Sequence, residues 1–222
     1  MHDFLILKFH GVLQAWGKHT YETNRPSELF PTRSGVTGFL SAALGLPRKD
    51  EKRIIALDRS YIYAVRLDDY LESRIAPSRM SDFHTIQNVR TVKKKISDNP
   101  ILSRREYLED SHFTVALRSC ESPEFSLNTI ESALKKPHFA LFLGRKSCPI
   151  TRPPFEKRLL QDSLQSALNS VHGYEGSFSG IVYSEEPASD KRNEKDMSVV
   201  VRDVPMGNRR FATRNVYIYI MG

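Results

Sequence analysis

The order of hydrophobic patterns along this 222-residue chain predicts an α+β fold, a four-stranded sheet backed by two helices. Three observations carry that prediction. Short apolar runs of strand length recur at residues 4–9, 61–67, 112–118 and 139–143. Helical periodicity fills one segment between the first and second runs and another between the third and fourth. Capping residues and Gly or Pro stops bound both helical segments.

Phe4 to Phe9 is a buried first strand, closed by Gly11. After a polar loop from Gln14 to Pro31, the apolar residues Val36, Phe39, Leu40, Ala43 and Leu44 form one helical face. Thr32 suits the N-cap of that helix and Gly45 its C′ position, and Pro47 prevents continuation. Asp50 to Asp58 reads as a shorter helix, and Tyr61 to Leu67 as a second strand ended by Asp68-Asp69. His112 to Arg118 is a third strand, with Phe113, Val115 and Leu117 on one face. Asn128 with Glu131 is a capping box opening a helix through Leu134, and Pro137 ends it. Phe139 to Leu143 completes the set as a fourth strand. The order β-α-β-β-α-β is the split βαβ signature of a ferredoxin-like fold, which is also the scaffold of RNA-recognition modules. Because that topology hosts many activities, function has to be argued from particular residues.

Two regions exceed the minimal motif. Roughly Tyr70 to Asp110 is an insertion between the second and third strands, carrying Arg79, Arg90, Lys93, Lys94, Lys95, Arg104 and Arg105. A structureless loop of that length is disfavoured inside a domain, so an extended β-hairpin arm is expected. From Thr151 onward the chain offers a helix around Gln161 to Val171 and strands around Gly180–Tyr183, Ser198–Arg202 and Asn215–Met221. The polar stretch Glu185 to Asp196 is expected to be a mobile loop. The organisation is therefore a body over residues 1–150, with its arm at about 70–110, and a helix-and-strand extension over 151–222.

Thirty-three Lys and Arg against 26 Asp and Glu give a net charge of +7, which points to a polyanionic partner. The apolar fraction of 40% excludes wholesale disorder. Two cysteines, Cys120 and Cys148, suit neither a disulfide framework nor a four-ligand zinc site, and buried, inert thiols are expected. The apolar run at the N-terminus is too short for a signal peptide or a membrane span, which fits a cytoplasmic domain. HExxH, GxSxG and CxxC are absent and the seven histidines show no metal spacing, so no cofactor is expected.

Four segments are candidates for gripping an anion. Pro31-Thr32-Arg33-Ser34-Gly35 opens a helix, where free N–H groups and the positive dipole end favour phosphate. The same residues are equally compatible with a capped core helix. Gly144-Arg145-Lys146-Ser147 follows the fourth run and combines a permissive glycine with two cations and a hydroxyl. It lacks the upstream glycine of a P-loop, so nucleotide hydrolysis is rejected. In the loop around Gln14, Trp16 and Lys18, the tryptophan is either a base-stacking ring or a core anchor. The arm adds cations together with Met80, Phe83 and Ile86, apolar points suited to wedging beside bases. A metal-free ribonuclease would need only a base, an acid and a cation, which His84, Tyr107 and His112 with Arg104 and Arg105 could supply.

A further pattern emerges from ordered motifs. Leu13-Gln14-Ala15-Trp16-Gly17, Arg25-Pro26, Phe30 to Gly35 and Leu44-Gly45 resemble the CasD family of type I-E CRISPR Cascade subunits. So do Arg105-Glu106-Tyr107-Leu108, Phe113 to Leu117, Leu143 to Pro149, Tyr183 to Glu186, Arg202 to Met206 and Arg210-Phe211-Ala212. The resemblance covers nearly the whole chain. It implies a ferredoxin-like body with a protruding thumb where the basic arm was placed. It also implies a role holding the 5′ handle of the CRISPR RNA at the foot of Cascade. Implied partners are the CRISPR RNA, the backbone subunit, the large subunit that recognises the PAM and, through the complex, target DNA, with no membrane. Handle-binding residues implied by matching motif are Gln14, Trp16, Lys18, Arg25, Arg33, Ser34, Gly35, Arg145, Lys146 and Ser147. Arg79, His84, Arg104 and Arg105 on the arm are added to these. The resemblance implies no catalysis, although related type I-C subunits process the precursor RNA, which keeps a metal-independent endoribonuclease as the alternative.

Overall fold

The computed structural model describes residues 1–20, 23–68, 76–89, 96, 99–188, 197–208 and 210–221. It is a mixed α/β fold dominated by one sheet. In chain order the elements are β1 (His2–Gln14), β2 (Trp16–Gly17), β3 (Asn24–Arg25), β4 (Ser27–Glu28), α1 (Arg33–Ala43), α2 (Glu51–Arg59) and β5 (Tyr61–Leu67). There follow β6 (Ser78–Ile86), β7 (Ile101–Ser119), α3 (Leu127–Lys135), β8 (Phe155–Gln161), α4 (Leu164–Asn169), β9 (Gly180–Ser184), β10 (Met197–Pro205) and β11 (Phe211–Met221).

The main sheet runs β10-β11-β9-β5-β7-β1-β8, with β6 and β3 added along β7. Alternation along β1 separates two cores. Leu5, Leu7 and Phe9 face a large cluster with Val36, Phe39 and Leu40 of α1 and Ile130 of α3. Phe4 and Ile6 face a smaller one with Leu164, Ala167 and Leu168 of α4. Helix α1 forms where its apolar face requires: the Thr32 hydroxyl accepts from the Gly35 N–H, and Gly45 follows in a left-handed conformation (φ 72°).

The expected arm is present as a ribbon: β6 pairs antiparallel with the first half of β7, from Ser78 opposite Glu109 to Ile86 opposite Ile101. Its basic run from Arg90 to Lys95 lies outside the described residues. The three late strands fall where expected, as β9, β10 and β11. Of the polar stretch 185–196, residues 189–196 lie outside the described residues, while Glu185 is held in the interior.

The fourth run is a correction. Phe139 to Leu143 makes only an isolated bridge, Phe142 with Pro149, because its backbone is engaged elsewhere. The N–H groups of His138 and Phe139 donate to the carbonyls of Ala43 and Ala42, capping the end of α1. The sheet position beside β1 is taken by β8, whose Leu159 and Arg158 pair with Phe4 and Leu5. Two boundaries also shift. Ser126 caps α3, in place of Asn128, and the late helix begins at Leu164 behind the Ser163 cap. Cys148 is buried and Cys120 partly so, and burial raises both thiol pKa values, which suits inert thiols.

Beyond Ile6, the second face of the sheet turns polar. Asp68 accepts from Lys8 Nζ (3.1 Å), Arg66 Nε (2.8 Å) and the Thr114 hydroxyl (2.7 Å), all buried. Next along β1 and β7 come His10 and His112, a cross-strand pair with ring centroids 4.5 Å apart. Burial, with His112, Arg152 and Lys8 adding to it, lowers the His10 pKa to about 3. Between about 3 and the usual value, the unfolded chain therefore binds a proton that the folded chain refuses. The stability His10 confers is fully present above its unfolded pKa and is lost as pH falls below it. Solvent at this partly exposed ring reduces the size of the effect. The urea midpoint should drop between pH 7.5 and pH 5, and His10→Gln should flatten that drop. An equal drop in the variant would assign the effect to other groups.

Candidate nucleic-acid interface

The loop after β1 lies between the two glycine-containing segments and joins them. On one side, Trp16 packs over Gly35, where an added Cβ would come within 2.7 Å of the indole. On the other, the Ala15 N–H donates to Leu143 O (3.1 Å). Gly144 there holds φ at 85°, and a Cβ on it would fall 1.7 Å from Ala15 O, so no other residue fits. Trp16 is almost fully buried, stacked on Phe9 at 5.7 Å, and its Nε1 donates to Gln14 Oε1 (3.2 Å). Gln14 is itself fully buried and donates to the carbonyls of Phe9 and Ser111. Within this chain Gln14, Trp16 and Gly35 therefore serve packing.

The same holds for Arg33. Its side chain is buried, donating to Asp58 Oδ1 (2.9 Å), to Glu185, and to the carbonyls of Asp58 and Tyr61. Burial opposes its charge, but Glu185, Tyr61 and Asp58 outweigh burial, so its pKa is raised. The start of α1 already holds an anion as well: the Arg33 N–H donates to Asp203 Oδ2 (2.7 Å), and Arg214 binds the same carboxylate. Ser34 is half-buried, near the Thr32 hydroxyl. The helix terminus that suggested a phosphate cradle is thus closed by a carboxylate of β10.

Of the candidate cations, those that reach solvent lie around the first half of β7 and the loops beside it. Strand β3 runs parallel to it, placing Arg25 beside Arg105 and Asn24 beside Arg104. Arg145 ties the 143–148 turn to both strands: Nη1 donates to Glu106 O (2.8 Å) and Nη2 to Arg25 O (3.0 Å). Its guanidinium lies 4.5 Å from the centre of the Tyr107 ring. Lys146 and Ser147 stand exposed at the tip of that turn. Lys18 is exposed on the neighbouring loop, 3.6 Å from Glu28.

Pairing register sorts the arm residues onto two faces. Arg79, opposite Leu108, and Phe83, opposite Arg104, share one face. Asp82 and His84, opposite Arg105 and Ser103, share the other. On the first face a groove of about 450 Å³ is lined by Thr23, Asn24, Phe83, Leu102, Ser103 and Arg104. It combines an exposed aromatic ring, an exposed guanidinium and amide and hydroxyl groups, a set suited to one base and its phosphate. Thr23 and Asn24 escaped the sequence reading because only the pairing of β3 with the arm brings them there.

The histidine–tyrosine trio of a ribonuclease is not assembled. His84 approaches Asp82 (2.6 Å), Tyr107 is buried beneath Arg145, and His112 stacks in the sheet beyond. His84 pairs opposite Ser103, so the three spread along β7 at intervals of roughly 13 and 16 Å. Among the described residues no three His, Cys, Asp or Glu converge as a metal-ligand set. No helix among them is long and apolar enough to cross a membrane.

Fold and site together define an α/β protein with a β-ribbon arm and an exposed groove walled by Arg104. Comparison with known proteins narrows that class: the model of the family described as CRISPR-associated protein (Cas_Cas5) matches residues 4–217. The chain belongs to this family. It is homologous to the CRISPR system Cascade subunit CasD of Escherichia coli strain K12, 37% identical over 223 residues, covering 98% of this chain and 96% of that one. The resemblance read from the ordered motifs is therefore borne out. In three dimensions it matches a chain of a CRISPR RNA-guided surveillance complex with a TM-score of 0.71 and 24% identity, covering 98% of this chain and 90% of the other. It also matches a crystal structure of a Cas protein with a TM-score of 0.63 and 27% identity, covering 98% and 94%.

Proposed function

We propose that this chain is a non-catalytic, cytoplasmic subunit of a CRISPR RNA-guided complex of the Cascade type and that it holds the 5′ handle of the CRISPR RNA. The observation that carries the reading is the groove between β3 and the arm, with Arg104 in its wall and Arg25 and Arg105 beside it, in a chain 37% identical to a Cascade subunit. Arg25, Arg79, Arg104, Arg105, Lys146 and Ser147 touch the RNA, with Lys18 and His84 at the margins. Gln14, Trp16, Arg33, Ser34, Gly35 and Arg145 act through position, fixing the loops that carry those contacts. The antiparallel order β8-β1-β7-β5 supports a ferredoxin-like frame with β8 as its fourth strand. On this reading residues 1–150 supply the RNA contacts, and 151–222 complete the sheet and clamp α1. Its neighbours are the backbone subunit and the PAM-recognising large subunit, and target DNA is met through the complex.

Handle RNA should bind more tightly than a scrambled RNA of equal length. Arg104→Ala and Lys146→Ala should each weaken handle binding about 3- to 10-fold and lower the slope of log affinity against log salt by roughly one. They should leave the thermal midpoint unchanged. Equal affinity for handle and scrambled RNA would overturn the specific reading. Incubation with repeat RNA in chelator tests the endoribonuclease alternative, which requires one discrete product and which the spread of His84, Tyr107 and His112 disfavours.

A further inference from the structure

The second face of the sheet carries aromatic rings that the handle-binding reading does not use. His10 and His112 meet edge to face at 4.5 Å, and Tyr174 stacks on His112 at 3.9 Å with an interplanar angle of 19°. Tyr174 is nevertheless 43% exposed, so one face of its ring is covered and the rest meets solvent. Beside it, Phe178 packs against His172 at 4.2 Å and is 46% exposed. The segment holding these rings is fixed from below by the buried cations. Lys8 donates to His172 O (2.6 Å), and Arg66 donates to Leu168 O and Val171 O (2.9 Å each) and to Phe178 O (3.4 Å).

An exposed aromatic ring usually loses freedom when it stacks on a ligand. Here the loss has already been taken in folding, because four backbone carbonyls of the segment are pinned to buried side chains. His10 and His112 sit on adjacent strands inside the sheet, the placement from which RNA-recognition modules present stacking rings. Every nucleobase offers a π face, and the chain is basic, with Arg152 close to His10. The nearby acids, Glu175 on the same turn and Glu156 paired to Arg152, leave imidazole and phenol rings as the dominant surface.

We propose that the outer face of Tyr174 is a second nucleic-acid contact, stacking one unpaired base on the column formed by His10, His112 and Tyr174. The site lies on a different sheet face from the rings of the large core and does not include the arm groove, so it stands or falls separately from handle binding. It takes a single-stranded segment and reads no sequence, since stacking alone is sequence-tolerant.

The test uses the full chain with an eight-nucleotide uridine RNA carrying 5-iodouridine, cross-linked by light and mapped by mass spectrometry. A cross-link at Tyr174 that persists in Arg104→Ala is expected, as is a roughly tenfold loss of affinity for the plain oligomer in Tyr174→Leu. Tyr174→Trp should retain affinity, and an RNA of the same length without bases should bind wild type no more tightly than uridine RNA binds Tyr174→Leu. No cross-link between residues 172 and 178, or unchanged affinity in a folded Tyr174→Leu chain, would overturn the proposal. Impaired assembly with other Cascade subunits alongside unchanged RNA affinity would overturn it too, and would assign the rings to a protein contact.

Discussion

Replacing Arg33 with alanine is expected to cost about 3–5 kcal/mol of folding stability, the usual result of removing one partner from a buried ion pair. The magnitude follows from what the guanidinium leaves behind. Asp58 and Glu185 are both buried or nearly so, and the carbonyls of Asp58 and Tyr61 lose their donor as well. Arg214 still reaches Glu185 (3.5 Å), but among the described residues no other cation is bonded to Asp58. The Thr37 hydroxyl, itself bonded to that of Tyr61, offers the carboxylate too little compensation for its desolvation. Urea unfolding should show a lower midpoint at constant m, and the thermal midpoint should fall by roughly 10 °C or more. Arg33→Lys should recover part of the loss, because one ammonium cannot serve four acceptors in a fixed plane. A change below about 1 kcal/mol together with weakened handle binding would instead make Arg33 an RNA contact.

Arg33 also shows where the sequence stops being informative. Its type, its glycine neighbours and its place at a helix start all favour phosphate, and Arg104 carries no stronger local signal. What separates them is partners at long range: Asp58, Glu185 and Asp203 lie 25, 152 and 170 residues away, and no local pattern announces them. Elements whose causes are local were legible. The face of α1, its Thr32 cap and its Gly45 stop all appear as read, and the arm follows from a long insertion that must pair with something. The fourth run failed for a physical reason of the same long-range kind. Its apolar residues do become buried, as Leu141 and Leu143, but the Phe139 N–H caps α1 and the Leu143 N–H donates to Cys148 O rather than joining the sheet. The strand that does join, β8, reads Phe-Glu-Lys-Arg-Leu-Leu-Gln and hides in charge, as expected at a sheet edge protected against further pairing.

The largest loss should come from Asp68→Ala, because this carboxylate serves two buried cations at once. Lys8 is 3% exposed and Arg66 fully buried, and both point at Asp68 from β1 and β5, the two strands that flank β7. Burial lowers the Lys8 pKa even with Asp68 present, which shows how poorly solvated that ammonium is. Without Asp68, two positive charges would face each other across Thr114 with only its hydroxyl and backbone carbonyls to hold them. The expected cost is at least that of one broken buried pair, about 3–5 kcal/mol, and more than that of Lys8→Met. The lysine variant removes one cation but leaves Asp68 bonded to Arg66, so the order Asp68→Ala above Lys8→Met isolates the shared carboxylate from general packing. Arg66 and Lys8 also hold the carbonyls of Leu168, Val171 and His172, so the disturbance should spread to the turn after α4. Amide hydrogen exchange should therefore accelerate across residues 164–178 before it does in α1. Equal costs for the two substitutions, or uniform exchange across both regions, would mean that Asp68 is not the organising charge of this face.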